Sequence, residues 1–205
     1  MRAAVLMEAG GSLEVIELSP TAVGPHEVLV ETKASGICHS DAALMAAPAG
    51  FLPVPLVLGH EGAGVVVDVG GEVRDLKVGD RVIASWVPSC GTCFWCMRGQ
   101  TNLCQSFSLG SERAPWLLAD GTPVRTQLGL GTMAELMLGH ERSFVKVDTD
   151  LPDEALALVG CGVSTGALAA MRAAPVTPGD TVAVFGCGGI GTSVIQGARI
   201  AGAVT

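Results

Sequence analysis

Four cysteines fall within fifteen residues, at Cys90, Cys93, Cys96 and Cys104, in the spacing C-x2-C-x2-C-x7-C. A segment this dense in thiols points to cross-links or a metal, and few features constrain a fold so tightly. The first eighteen residues lack a basic region followed by a long apolar stretch and are interrupted by Glu8, Glu14 and Glu17, so they do not read as an export signal. Without such a signal the density points to metal. Gly91 and Gly99 let the chain bend enough to bring the sulfurs together. Four thiolates at tetrahedral corners suit zinc and leave no open coordination position. An iron-sulfur cluster uses similar runs, and a set of unligated thiols is the third reading. Zinc is favoured because the surrounding sequence reads mainly as strands and shows no other electron-transfer feature. A site of this kind holds a loop and does not catalyse. Its thiols must ionise first, so its affinity should fall with acid.

The rest of the chain reads in two parts. Up to about residue 148 it is short apolar strands, at 3–6, 13–18, 28–34, 64–69, 81–84 and 144–147, punctuated by Ser19-Pro20, Gly24-Pro25, Gly70-Gly71 and Gly79-Asp80. That is the pattern of a compact, largely antiparallel β-barrel or sandwich. The glycine-containing polar run 105–131 reads as a long surface excursion. After Pro152 the period changes: residues 154–174 read as helix, weakened by Gly160, Gly162 and Gly166, and 181–185 as a buried strand followed by a glycine turn and a helix over 190–201. With 49% hydrophobic and 16% charged residues the composition is that of a globular protein. A net charge of -8 and the absence of any Lys/Arg cluster argue against nucleic acid and anionic lipid as partners. No stretch reads as long and apolar enough to cross a membrane, and the expectation is a soluble, cytoplasmic protein.

Three further pieces each place one soft or imidazole ligand next to glycine: Gly36-Ile37-Cys38-His39-Ser40-Asp41, Gly59-His60-Glu61-Gly62 and Gly160-Cys161-Gly162. Together Cys38, His60 and Cys161 would give a zinc with its fourth position open, a ligand set for which alcohol dehydrogenase is the standard example. An open zinc is a Lewis acid for a hydroxyl or carbonyl. Taken singly, each residue has a plainer reading, His60 as a hydrogen-bonded turn residue and Cys161 as a small core side chain. Residues 186–191, Gly-Cys-Gly-Gly-Ile-Gly, follow the apolar run and open a helix, the Gly-x-Gly-x-x-Gly arrangement that cradles a pyrophosphate. In that arrangement Gly186 permits the turn, Gly188 the approach of backbone to phosphate, and Gly191 the packing of helix on strand.

The order of these five motifs resembles that of the zinc-containing medium-chain alcohol dehydrogenases. It is most similar to the class III-like branch, with its thiol-dependent formaldehyde dehydrogenases and nitroso-dimethylaniline-dependent alcohol dehydrogenases. The resemblance implies a mixed α and β protein: a GroES-like β-barrel catalytic domain over residues 1–150, with a structural zinc lobe at about 88–106, then a connecting helix and the incomplete N-terminal part of a Rossmann domain over 151–205. It implies two Zn2+, one catalytic on Cys38, His60 and Cys161 and one structural on the clustered cysteines, with NAD as cofactor. Asp41 matches the carboxylate that orients the zinc-bound imidazole, and Glu61 a glutamate behind the metal. Ser40 matches the hydroxyl that takes the substrate proton. His39 and Thr165 match residues beside the cofactor, and Trp86 an aromatic wall of the substrate pocket. Plainer readings stand beside these, Asp41 as a helix cap and Trp86 as core. Where several relatives carry a histidine that passes the proton on, this chain has Ala43, so water or cofactor ribose would have to continue the relay. The implied activity is hydride transfer between NAD and a primary alcohol, its aldehyde or a formaldehyde-thiol adduct, in a homo-oligomer that binds neither membrane nor nucleic acid. The alternative is an inactive zinc-binding fragment or interaction module, since the chain stops before the acidic residue that would bind the adenosine ribose and separate NAD from NADP.

Overall fold

A computed structural model describes residues 1–106 and 113–205. The chain divides into two compact units, Met1–Ala157 and Leu158–Thr205.

The first unit is two sheets. The six-stranded one has the order β2-β1-β5-β9-β8-β3, from β1 (Arg2–Leu6), β2 (Leu13–Glu17), β3 (Ser19–Pro20), β5 (Leu56–Val57), β8 (Trp116–Leu117) and β9 (Pro123–Thr126). The five-stranded one has the order β10-β4-β6-β7-β11, from β4 (Glu27–Ser35), β6 (Gly62–Val69), β7 (Arg81–Ala84), β10 (Leu136–His140) and β11 (Phe144–Lys146). All pairs are antiparallel except β5 with β9. The GroES-like, largely antiparallel fold expected from the sequence is what forms. Alternation drives it: in β4, Val28 and Val30 face inward with Val66, Val82 and Met137, and in β1, Ala3 and Val5 pack with Val57, Trp116 and Val124. Each such valine, fully buried, is worth about 1.5–3 kcal/mol.

Two pairings position the functional segments. β4 and β6 are antiparallel neighbours, so the end of β4 and the start of β6 lie together, and the Gly36 N–H donates to the Glu61 carbonyl at 2.9 Å. Register shifts between Leu29/Val30 and Thr32/Ala34 bend this pair. Gly64 sits where the strands touch, and a side chain there would collide with the Glu31 carbonyl. From the other sheet, parallel β5 and β9 deliver residues 58–60 and 127 in the same direction.

The run 105–131 is not the surface excursion expected. Residues 107–112 lie outside the described residues, but Trp116, Val124, Thr126, Gln127 and Leu130 are buried, and β8 and β9 complete the six-stranded sheet. Two of its polar residues, Thr126 and Gln127, occupy inward positions, where tertiary contacts override the local pattern.

In the second unit the helical stretch passes through π-helical turns at Val159–Val163 and Ala169–Ala173, on either side of α3 (Ser164–Leu168). α2 (Asp153–Leu158) leads into it, and α4 (Gly189–Ile200) follows the glycine turn. α3 and α4 touch through small residues: a Cβ on Gly166 would come within 2.5 Å of the Ile190 carbonyl, and one on Gly197 within 2.5 Å of the Ala167 carbonyl. Contrary to expectation, one run, Asp153–Ala173, is long and apolar enough by length and composition to cross a membrane, with a mean hydropathy of 1.5. Its glycine face is packed on α4. The expected strand 181–185 does not form a ladder: the Val182 N–H donates to the Thr205 carbonyl, and the Val204 N–H to Asp180, just before the segment.

Candidate metal centres

The four clustered cysteines converge. Their sulfurs all lie within 4.8 Å of one another, and none is in a disulfide. Two short 3-10 turns, Cys96–Arg98 and Thr101–Leu103, and left-handed Gly91 and Gly99 fold the loop back on itself. Backbone N–H groups aim at sulfur: Cys93 at Cys90 Sγ (3.4 Å), and Cys90 and Ser106 at Cys104 Sγ (3.3 Å each). The Thr92 and Cys93 N–H groups hold the Cys90 thiol down at about 6. Burial and the neighbouring sulfurs push Cys96 up to about 12. Without a cation the cluster therefore keeps a proton that a divalent metal would displace. Sulfurs this close suit one tetrahedral ion, whose edges at about 2.3 Å per Zn–S bond are about 3.8 Å. The donor set fits zinc.

A second group lies in the same unit. The Cys38 thiol, a His60 ring nitrogen and a Glu61 carboxylate oxygen also fall within 4.8 Å of one another. Cys38 precedes α1 (His39–Met45), and Asp41, the third helical residue, accepts the Cys38 N–H at 2.8 Å. The other Asp41 oxygen is 3.1 Å from His60 Nδ1. Asp41 thus reaches back to the backbone of the N-cap Cys38 and at the same time lies against the imidazole. Asp41, His60 and Glu61 are almost wholly buried. Burial works against the charge on Asp41 and on His60, but their mutual bonds win. His60 and the Cys38 and Gln127 donors hold Asp41 below its usual range, and Asp41 and Cys38 raise His60. Ser40 and His60 together lower the Cys38 thiol. The Ser40 hydroxyl is 3.6 Å from the Cys38 sulfur, and His39 is exposed. Trp86 packs against the core and meets His60 edge-on at 6.4 Å.

Gln127 had no sequence signal. It is buried beside His60, 3.0 Å from Nδ1, and accepts the Gly59 N–H at 2.7 Å. Gly59 itself is at φ +97°, and any side chain there would strike Thr132 and Met133.

The remaining expected residues lie in the second unit. Cys161 sits in the first π-helical turn and Thr165 is exposed on α3. Gly186 has φ +99°, a Cβ on Gly191 would collide with the Gly186 carbonyl, and Gly188 faces open space.

Residues 24–149 match the model of the alcohol dehydrogenase GroES-like domain. The chain belongs to that family. Among curated relatives of this GroES-like chain, a putative alcohol dehydrogenase D of Mycobacterium tuberculosis is 43% identical over 98% of the chain and 55% of its own length. An S-(hydroxymethyl)glutathione dehydrogenase of Paracoccus denitrificans is 42% identical over 98% and 56%. Among solved structures, an alcohol dehydrogenase zinc-binding domain protein from Burkholderia ambifaria superposes with a TM-score of 0.91 at 36% identity, over 100% of this chain and 57% of that one. Benzyl alcohol dehydrogenase from Acinetobacter calcoaceticus gives 0.85 at 33%, over 99% and 56%. The chain thus spans little more than half the length of these relatives.

Proposed function

We propose that this chain carries the metal-holding part of an NAD-dependent zinc alcohol dehydrogenase, acting on a substrate that presents a hydroxymethyl group. The observation that carries the reading is the convergence of Cys38 with the buried His60 and Glu61, braced by Asp41, in a chain of this family. Cys38 and His60 would hold a catalytic zinc together with Cys161, whose π-helical turn is of a kind frequent at functional sites. The clustered cysteines would hold a second, structural zinc. When bound, zinc supplies Lewis acidity toward a hydroxyl or carbonyl, and NAD the hydride acceptor.

The chain's own residues would do the rest. Asp41 fixes the His60 ring, and Ser40, beside the Cys38 thiol, takes the substrate proton. Ala43 offers no onward acceptor, so the proton leaves through water or the cofactor. Glu61, whose carboxylate lies within 4.8 Å of the Cys38 and His60 ligand atoms, would stand close to the metal. His39 and Thr165 would line the cofactor, and Gly186, Gly188 and Gly191 would let its pyrophosphate reach the start of α4, which carries no side-chain cap. The names of two relatives fit this substrate class, since benzyl alcohol and a hydroxymethyl thiol adduct both end in a hydroxymethyl group. Free thiols in such number are in keeping with a reducing, cytoplasmic setting.

The test is metal content with turnover. The purified chain should carry two zinc ions, and Cys38→Ala should remove one. Oxidation of primary alcohols, followed as NADH, should stop on chelation. A folded chain with two zinc ions and no turnover favours the second reading, a zinc-binding module. That reading draws on the 99% exposure of Phe185 and the sparse backbone pairing of Val182, which leave the second unit poorly built to grip a dinucleotide. Tight NAD binding by the same chain in calorimetry would rule the module out.

A further inference from the structure

The side chain of Gln127 reaches both ends of the His60 environment. Parallel pairing of β5 and β9 sends Gly59–His60 and Gln127 out of the same sheet end, and Gln127 is 4% exposed. The Gly59 N–H can only donate, so the amide atom 2.7 Å from it is oxygen. That bond turns the amide nitrogen toward His60 Nδ1, at 3.0 Å, the same ring nitrogen that an Asp41 carboxylate oxygen meets at 3.1 Å. Two donors cannot satisfy one another. With Gln127 helping to hold Asp41 ionised, His60 Nδ1 keeps its proton for Asp41 Oδ1, and the opposite ring nitrogen is left as a lone-pair donor. The backbone just beyond Gln127 is bent to allow this: Leu128 is the one non-glycine residue at positive φ (54°) among the described residues, followed by Gly129 and Gly131 at 73° and 65°.

We propose that Gln127 is a positioning residue for metal at Cys38 and His60. Through Gly59 it fixes the backbone that carries His60, and through Asp41 it holds the imidazole in the tautomer that can ligate. This rests on the reading of His60 as a metal ligand. Glutamine suits the task because its amide carries an acceptor and a donor at one end, on a stem long enough to reach both partners. Outer groups of this kind are worth about 10–100-fold in metal affinity.

The experiment uses the 205-residue chain loaded with zinc or cobalt(II). Zinc affinity is read by competition with graded chelators and the ligand field by the cobalt spectrum, with Cys38→Ser assigning signals to the two sites. Gln127→Met keeps the length and removes both polar ends, while Gln127→Asn keeps the amide one methylene short. In both variants zinc at the Cys38–His60 site should weaken about 10–100-fold and its cobalt spectrum change, while the four-cysteine site holds its metal as before. Unchanged affinity and spectrum at the first site overturn the proposal. Parallel loss of both metals, or of the cooperative unfolding transition, overturns it too, because Gln127 would then serve the fold at large. An unaltered chain that takes metal only at the four cysteines instead sinks the reading of His60 as a ligand.

Discussion

Replacing Asp41 with asparagine changes almost no volume, yet it should loosen the metal at Cys38 and His60 selectively. The buried carboxylate accepts the Cys38 N–H at 2.8 Å on one oxygen and His60 Nδ1–H at 3.1 Å on the other. Asparagine has one acceptor oxygen and presents an NH2 where the second oxygen was. Either the Cys38 N–H or the His60 Nδ1–H then faces a donor, and a buried donor left unpaired costs about 1–3 kcal/mol. The imidazole can escape by moving its proton to the other nitrogen, but that nitrogen is the one that must bind metal. An outer-partner loss of about 10–100-fold in affinity corresponds to about 1.4–2.7 kcal/mol. The two figures, reached separately, agree. Zinc competition on Asp41→Asn should therefore show one weakened ion and one unchanged, the latter on the cysteine cluster. An Asp41→Asn chain that holds both ions as tightly as the unaltered chain would refute the reasoning.

Zinc uptake by the cysteine cluster should release protons near neutral pH, because Cys90 is held at about 6 whereas Cys96 stands at about 12 before metal binds. Calorimetry in buffers of different ionisation enthalpy counts those protons, and affinity should rise with pH; a count of zero contradicts the assignment. Gly59→Ala should cost about 1–3 kcal/mol or more, from its φ of +97° and the contact at 2.8 Å with the Met133 nitrogen. An unchanged urea midpoint would mean that the backbone there relaxes freely. Lys146 holds the Asp80 carboxyl below its usual range, with the Lys77 N–H assisting. The stability this gives is complete above the unfolded pKa and is lost as pH falls through the lower folded value, so Lys146→Met should flatten that part of the acid limb of urea denaturation, and an identical limb counts against the pair.

Much of the five-stranded sheet could be read in advance, since β4 alternates cleanly and β6, β7 and β11 are short apolar runs set between turn residues. β10 could not, because Leu136-Met137-Leu138-Gly139-His140 has no alternation, and its strand form depends on pairing with β4. β5 and β8, two residues each, are too short to carry a period and exist through their neighbours. Residues 181–185 show the converse, with strand composition but too few partners for a ladder.

The candidate ligands divide in the same way. Cys90, Cys93, Cys96 and Cys104 were determined by sequence alone, because four donors within fifteen residues can meet around one ion through local turns. Cys38, His60 and Asp41 were marked by their glycine-flanked motifs, but their meeting depended on the adjacency of β4 and β6. Gln127 was decided only by tertiary structure. It stands 67 residues from His60, in a run whose composition reads as surface, and its partners are delivered by strands whose pairing no local pattern encodes. A buried amide takes its meaning from the donors and acceptors around it, and those are set by packing.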